Sequence, residues 1–261
     1  MGHRHLRAYA ALRRVGVRGF ELAAVCDPRR EAAEHAAEMV AELLGSRPAV
    51  FASADELIAS GAVQAIDLVT EPSIHHLIAV PALAAGIHVL SEKPLGVTVR
   101  ACREMVDATA ASGAILATAE NYRRDAPNRL ARAVLDSGLL GHIHLMLECN
   151  IGGGNGVLLS PWRHLREKGS IALDMGVHYT DIFSYLLGDL ERACGVAFIA
   201  EPGRVLAPGM VAGGDVEELE PGVMRALKFG CGLFCGGACK RAVWSLGCGC
   251  ANPCGFSCGG C

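Results

Sequence analysis

The sequence predicts an α/β fold, in which a mostly parallel sheet is followed by a smaller α+β region. Short apolar segments alternate with helical segments across residues 1–137, a pattern typical of strands joined by helical crossovers. Polar residues directly follow two of those apolar segments, at Asp27 and at Glu92-Lys93, where ligands bind in open sheets of this kind. Because 51% of the residues are hydrophobic, the chain can bury a substantial core.

The first half of the chain alternates helices and strands. An amphipathic segment from Arg4 to Arg14 predicts a helix, and Glu21–Cys26 predicts a buried strand before an Ala/Glu-rich helix that ends near Leu44. Ser53 and Glu56 have the spacing of a capping box, which indicates the start of a short helix. We expect further strands at Ala65–Val69, Ile87–Leu90 and Ile115–Ala119, and helices through His75-His76, over Thr98–Ser112 and over Pro127–Ser137.

The second half contains fewer elements. We expect a longer strand over His142–Ile151, a helix from Ser170 to Leu187 that Gly188 ends, and a strand over Ala193–Ile199. These elements predict an α+β region that begins between residues 120 and 140.

The last part of the sequence differs in composition from the rest. No acidic residue follows Glu220, and residues 231–261 contain eight of the twelve cysteines. We expect a disordered tail there, produced by a reading-frame error or a truncation. A metal site is the alternative interpretation, although only Cys258 and Cys261 have the Cys-x2-Cys spacing of a zinc knuckle.

Charge and hydropathy argue against several kinds of partner. The formal net charge is −3, and no cluster of basic and aromatic residues suggests nucleic-acid binding. The most apolar segment, Leu77–Leu90, is interrupted by Pro81 and Gly86 and is too short to cross a bilayer. No apolar signal-peptide core follows Met1, so we expect a cytoplasmic protein without a membrane partner.

Two groups of polar residues are candidates for a functional site. Lys93 lies in Glu92-Lys93-Pro94, directly after a predicted strand, and the alternative interpretation is a solvated lysine before a strand-ending proline. Asp174 and His178 lie four residues apart and therefore share one face of a predicted helix. The alternative interpretation of this second group is a weak pair on the helix surface.

Several short motifs occur in a fixed order over roughly residues 2–200. They are Cys26-Asp27 after a strand, Thr70-Glu-Pro-Ser-Ile-His75, Ala82 to Pro94, Asn121-Tyr-Arg-Arg124, and Trp162-Arg163 ahead of Asp174-Met-Gly-Val-His178. In this order and at this spacing the motifs resemble the Gfo/Idh/MocA family of NAD(P)-dependent oxidoreductases.

The resemblance implies a division of the chain into domains. A Rossmann-type dinucleotide-binding domain is expected over residues 1–122, and an α+β substrate and oligomerisation domain with an open mixed sheet over 123–230. The tail then covers residues 231–261. If its sheet is complete enough, the second domain implies a homo-oligomer.

The resemblance also implies NAD as the cofactor. A carboxylate in the position of Asp27 binds the adenosine ribose hydroxyls and repels a 2′-phosphate. Arg29 and Arg30 leave NADP as the alternative, because either side chain can pair with a phosphate. The candidate cofactor-binding residues are Gly2, Asp27, Arg29, Thr70, His75, Glu92 and Lys93.

The implied reaction is the oxidation of a sugar, an inositol or a related polyol. Lys93 is expected to hydrogen-bond the reacting oxygen beside the nicotinamide, facing the helix that carries Asp174 and His178. His178 is the natural base because an unperturbed imidazole titrates near neutrality, and Asp174 orients it or binds a substrate hydroxyl. The candidate substrate-binding residues are Asn121, Arg123, Trp162 and Arg163, and no metal is expected.

The sequence also departs from the family pattern. Met1-Gly2-His3 retains only the last glycine of the family's glycine-rich turn, and the strand before that turn is missing. Since the amides of such a turn hold the pyrophosphate, we expect weak dinucleotide binding and unpaired edges on the flanking strands. Glu71-Pro72 replaces a Pro-Asn pair, and Lys168-Gly-Ser170 replaces a glycine run. A non-catalytic binding or regulatory protein on the same fold is therefore the alternative function.

Overall fold

The structure is a computed structural model, and it describes residues 1–149, 168, 170–196, 232–235 and 241–245. The chain divides into two compact units, Met1–Glu120 and Asn121–Cys261. The boundary lies after Glu120, close to the position after residue 122 that the sequence predicts.

The first unit consists of alternating helices and strands, as predicted. Most strands are shorter than the apolar segments that indicate them, because a strand extends only as far as a neighbour pairs with it. The strand Ala49–Phe51 was not predicted. The elements are α1 (Gly2–Arg14), β1 (Ala24–Cys26), α2 (Arg30–Leu44), β2 (Ala49–Phe51), α3 (Ala54–Ser60), β3 (Ala65–Leu68), a 3-10 turn (Pro72–Ile74), α4 (His75–Ala84), β4 (His88–Ser91), α5 (Val99–Ser112) and β5 (Leu116–Thr118).

All strand pairs of the first unit are parallel, which confirms the predicted α/β class. β1 pairs with β2, and β4 lies between β3 and β5. Within the described residues no strand joins β1 to β3, so the strands form two separate parallel sheets. In the larger sheet Ser91 pairs with Leu68 on one side and with Thr118 on the other. The carboxyl end of β4 therefore lies at the centre of that sheet's edge.

Helix α4 supplies much of the core beneath that edge. Ala79, Ala82 and Leu83 are fully buried, and they pack with Met105 of α5 and Val89 of β4. The two alanines leave little side chain between α4 and its neighbours, which allows close packing. The residue after β4 is therefore presented from a rigid, well-packed base.

Helix caps fix several boundaries as the sequence predicts. The Ser53 hydroxyl accepts the Glu56 amide at 3.2 Å, and the Thr98 hydroxyl accepts the Ala101 amide at 3.1 Å. The Glu56 carboxylate accepts the amide of Ala52 rather than that of Ser53, so only one half of the predicted capping box forms.

The second unit is an α+β arrangement with a mixed sheet. Its sheet order is β6-β8-β9-β7, in which β6–β8 and β8–β9 are antiparallel and β7–β9 is parallel. The elements are a 3-10 turn (Tyr122–Arg124), α6 (Ala126–Asp136), β6 (Leu145–Glu148), α7 (Ser170–Leu187), β7 (Arg192–Val196), β8 (Gly232–Cys235) and β9 (Arg241–Ser245).

The expectation of a disordered tail from residue 231 does not hold for residues 232–235 and 241–245, which form strands of this sheet, and the rest of the tail lies outside the described residues. Strands β8 and β9 lie within 231–261 and pair with β6 and β7. Leu233-Phe234 and Ala242-Val243-Trp244 are apolar, and most of these residue types favour strands. The abundant glycine and cysteine around them conceal this local pattern in the average composition.

Two features are absent from the described part of the chain. It contains no helix that is both long enough and apolar enough to cross a bilayer. Nor does it contain three or more His, Cys, Asp or Glu side chains grouped so that they could hold a metal ion.

Candidate active site

The turn that carries Lys93 is tied to the sheet through Glu92. The Glu92 amide donates to the Leu68 carbonyl of β3 at 2.9 Å, which continues the strand pairing past Ser91. One oxygen of the buried Glu92 carboxylate, Oε2, accepts the Lys93 amide at 2.9 Å. Glu92 thus fixes the backbone from which the Lys93 side chain projects.

His75 holds the same turn from helix α4. Its Nδ1 lies 3.1 Å from the Pro94 carbonyl and 3.3 Å from the Ser91 hydroxyl, and its Nε2 lies 3.2 Å from the Thr70 carbonyl. Burial lowers the pKa of His75 and favours the neutral ring, which donates to one of these carbonyls in either tautomer. The His75 side chain has no exposed surface, and the expected contribution of His75 to cofactor binding stays a prediction.

His5 contributes to the site, although the sequence analysis did not select it. Its Nδ1 lies 2.8 Å from Asp67 Oδ2, and its Nε2 lies 3.0 Å from Glu92 Oε1. Ionised carboxylates only accept hydrogen bonds, so both contacts form together when both ring nitrogens carry protons. The hydrogen bonds to Asp67 and then Glu92 raise the pKa of His5 to about 9, against the opposing effect of burial.

The charge of Glu92 depends on this arrangement. Burial opposes its ionisation, but the hydrogen bonds from His5 and from the Lys93 amide outweigh burial and lower the pKa of Glu92. Nothing in the sequence around a histidine of an amphipathic helix indicates partners as distant as Asp67 of β3 and Glu92 after β4. Only the structure reveals this cluster.

Asp27 and Arg29 lie together at the carboxyl end of β1. Asp27 Oδ1 accepts the Arg29 amide at 2.9 Å and lies 3.6 Å from Arg29 Nε. The Asp27 side chain is partly exposed, and the described contacts to Arg29 all use one of its two oxygens. The other oxygen can bind a ribose hydroxyl, as expected for the acidic residue of a dinucleotide site.

The remaining candidates of the first unit are Gly2 and Thr70. Gly2 is the first residue of α1, and no side chain caps that end of the helix. No heavy atom lies within 4 Å of the position that a Cβ would take at Gly2, so the space beside it is open. Amides in the first turn of a helix attract phosphate. Thr70 is exposed beyond β3, and its carbonyl lies 3.2 Å from His75 Nε2.

In the second unit, helix α7 brings Asp174 and His178 onto one buried face. Their exposed fractions are 3% and 4%, which excludes the interpretation as a weak surface pair. The Tyr122 ring stacks on the His178 ring at 4.0 Å between centroids and 7° between planes. Tyr179 meets Tyr122 edge-on at 6.3 Å. Because the stack covers one face of the imidazole, the ring nitrogens of His178 do not point at Tyr122.

The predicted substrate-binding residues lie in different settings. Arg123 makes a bidentate ion pair with Asp181 of α7. Its Nε donates to Asp181 Oδ2 at 2.8 Å, and its Nη2 donates to Oδ1. Its guanidinium also lies 5.5 Å from the Tyr185 ring centroid. Asn121 is exposed at the start of the unit. Trp162 and Arg163 lie outside the described residues.

Family models match almost the whole chain. The model described as "Oxidoreductase family, NAD-binding Rossmann fold" matches residues 1–120. The model described as "GFO/IDH/MocA C-terminal domain" matches residues 128–241. The two matches meet near the boundary of the two structural units.

Individual proteins agree with the family models. The chain is 33% identical over 177 residues to inositol 2-dehydrogenase of Azotobacter vinelandii, covering 66% of this chain and 49% of that protein. It is 30% identical over 188 residues to 1,5-anhydro-D-fructose reductase of Ensifer adhaerens, covering 70% of this chain and 52% of that protein. The chain thus spans about half the length of these curated relatives.

A solved structure supports the fold. The oxidoreductase domain protein from Kribbella flavida superimposes with a TM-score of 0.72 at 25% identity, covering 94% of this chain and 63% of that one. The resemblance of the motifs, the parallel sheets and the two matched models all agree. The chain belongs to the Gfo/Idh/MocA family of oxidoreductases with an NAD-binding Rossmann fold.

Proposed function

We propose that this protein is an NAD-dependent dehydrogenase of a sugar, an inositol or a related polyol. The observation that carries the proposal is the position of Lys93. It follows the central strand of a parallel sheet, on a turn held by Glu92 on one side and by His75 on the other. Relatives named inositol 2-dehydrogenase and 1,5-anhydro-D-fructose reductase support the substrate class.

The residues of the first unit fit a dinucleotide. Asp27 offers a carboxylate for the ribose hydroxyls, and the start of α1 at Gly2 offers amides for phosphate. Arg29 is paired with Asp27, which favours NAD over NADP because the guanidinium already has a carboxylate partner. When bound, NAD supplies the hydride acceptor for alcohol oxidation.

The chain's own residues then handle the proton and the substrate oxygen. We assign to Lys93 a hydrogen bond from its ammonium to the reacting oxygen, and to His178 the removal of the hydroxyl proton. Asp174 lies one turn before His178 on α7 and orients it or binds a neighbouring hydroxyl. Asn121, Trp162 and Arg163 stay candidates for binding substrate hydroxyls. For Arg123 we propose a structural role instead, in which its ion pair with Asp181 holds the turn Tyr122–Arg124 against α7.

The proposal extends to the partners, location and oligomeric state of the protein. We propose a small-molecule substrate and no nucleic-acid partner, in line with the net charge of −3. We also propose a cytoplasmic location without a membrane partner. The mixed sheet of the second unit is the surface on which we propose a homo-oligomer forms.

Calorimetry and turnover test this function on the full chain. NAD should bind, and a panel of inositols and sugars should yield NADH with at least one member. Lys93→Met should reduce turnover by at least 100-fold. Turnover that survives this substitution would contradict the role assigned to Lys93. The absence of turnover with every polyol would contradict the dehydrogenase assignment and favour a non-catalytic binding protein.

A further inference from the structure

A chain of hydrogen bonds leads from His5 to the backbone of Lys93. His5 Nε2 donates to Glu92 Oε1 at 3.0 Å, and Glu92 Oε2 accepts the Lys93 amide at 2.9 Å. The two oxygens of one carboxylate therefore face a helix residue on one side and the Lys93 backbone on the other. A rotation of the Glu92 side chain breaks both contacts at once.

The other side of His5 is fixed as firmly. His5 Nδ1 donates to Asp67 Oδ2 at 2.8 Å, and the Tyr9 hydroxyl donates to the same oxygen at 2.9 Å. Asp67 of β3 pairs in register with Leu90 of β4, so this anchor lies beside the strand that ends at Lys93. The imidazole thus connects α1, β3 and the turn after β4.

The charges explain why a histidine suits this position. The ring faces two carboxylates, Asp67 and Glu92, and most of its surface is buried. A doubly protonated ring donates to both, whereas a neutral ring can donate to only one and leaves the other without that donor. The raised pKa of His5 agrees with the protonated form at neutral pH.

We propose that His5 is a positioning residue for Lys93: its imidazolium holds Glu92 in the orientation in which the second carboxylate oxygen accepts the Lys93 amide. The catalytic consequence rests on the proposed function of Lys93. A small displacement of a group that contacts the reacting oxygen lowers the rate of the chemical step, on the order of tenfold to 100-fold.

Two substitutions of His5 separate its two hydrogen bonds. The side-chain amide of glutamine reaches the position of Nε2 and keeps the donor toward Glu92. That of asparagine reaches only the position of Nδ1 and keeps the donor toward Asp67. Both variants lose the positive charge, so an effect of the charge alone is the same in each. The proposal predicts that His5→Asn disturbs Lys93 more than His5→Gln does.

The first readout needs no catalysis. The chain contains four lysines, so selective 15N-lysine labelling gives four backbone amide signals, and Lys93→Arg identifies that of Lys93. In His5→Asn this signal should move and its amide exchange should accelerate at least tenfold, with the other three signals in place. His35→Gln, at an exposed histidine on α2, should leave it unchanged. An unchanged Lys93 signal in His5→Asn, or equal effects of Asn and Gln, overturns the proposal.

The second readout is kinetic. His5→Asn should lower kcat about tenfold or more while the NAD dissociation constant stays within twofold, and it should cause no further loss in the Lys93→Met background. An additive loss in that background overturns the positioning role. If neither His5 variant folds, Glu92→Met takes their place and must accelerate the exchange of the Lys93 amide at least tenfold, since a change at residue 92 moves the neighbouring signal in any case. Should no polyol be turned over, the amide readout still decides the inference independently of the proposed function.

Discussion

Tyr122 and His178 lie face to face, with their ring centroids 4.0 Å apart and their planes 7° from parallel. Tyr122 belongs to the 3-10 turn that opens the second unit, and His178 lies on the buried face of α7. The tyrosine therefore limits the directions in which the imidazole can turn. It is a further residue of the site, although only Asn121 and Arg123 of its motif are candidates from the sequence.

Replacing Tyr122 should affect the proposed base. Tyr122→Leu removes the aromatic face, and because such pairs are worth about 1 kcal/mol, kcat should fall about fivefold through loss of His178 orientation. Tyr122→Phe keeps the stack and should stay within twofold of wild type. Steady-state kinetics of the three proteins with one polyol provide the measurement. Equal losses in both variants would assign the effect to the hydroxyl instead.

The His5 cluster should make stability depend on pH. Because its folded-state pKa of about 9 lies above the ordinary value of 6.5, its contribution is complete below about pH 6.5 and is lost as the pH rises through 9. The free energy of unfolding should therefore fall by about 1–2 kcal/mol more in wild type than in His5→Gln over this range. Urea unfolding of both proteins at pH 6.5 and 9.5 measures the difference. Parallel curves would show that folding does not raise the pKa of His5.

The ion pair between Arg123 and Asp181 should act in folding rather than in substrate binding. Arg123→Ala and Asp181→Ala should each lower stability by about 1 kcal/mol, and the double variant should lose little more, because the two side chains depend on each other. The KM for the polyol should stay within about twofold in Asp181→Ala. A raised KM in Arg123→Ala with unchanged stability would instead support the substrate contact that the sequence predicts.

Two leucines of α4 allow a test of how much the core under the Lys93 turn contributes to stability. Leu83→Ala should destabilise the chain by about 2–5 kcal/mol, since the fully buried side chain leaves a cavity between α4 and its neighbours. Leu77→Ala in the same helix is the matched control, because 61% of the Leu77 side chain is exposed. Its effect should stay within about 0.5 kcal/mol. Thermal unfolding of both variants gives the comparison.

Patterns within short segments predicted most of the fold. The ends of α2, α5 and α7 are near those expected, because caps such as Thr98 and stop residues such as Gly188 act over a single turn. Strand β2 was missed because three residues carry too little periodicity to stand out. Strands β8 and β9 were missed because the glycine and cysteine around them hide two short apolar segments, and because their partners β6 and β7 are distant in sequence.

The candidate site divides in the same way. Lys93, Asp27, Asp174 and His178 could be selected from the sequence, since each occupies a motif whose residue types and spacing are local. Their motifs and the alternation of helices and strands determined the family and the α/β class. Only the tertiary structure decided what surrounds them: His75 is buried between backbone carbonyls, Arg123 is paired with Asp181, and Tyr122 stacks on His178. It alone joined His5 to Asp67 and Glu92, residues 62 and 87 positions away. The physical reason is that hydrogen bonds and ring stacking depend on distances of a few ångströms in space, which the folding of the whole chain sets and no local pattern records.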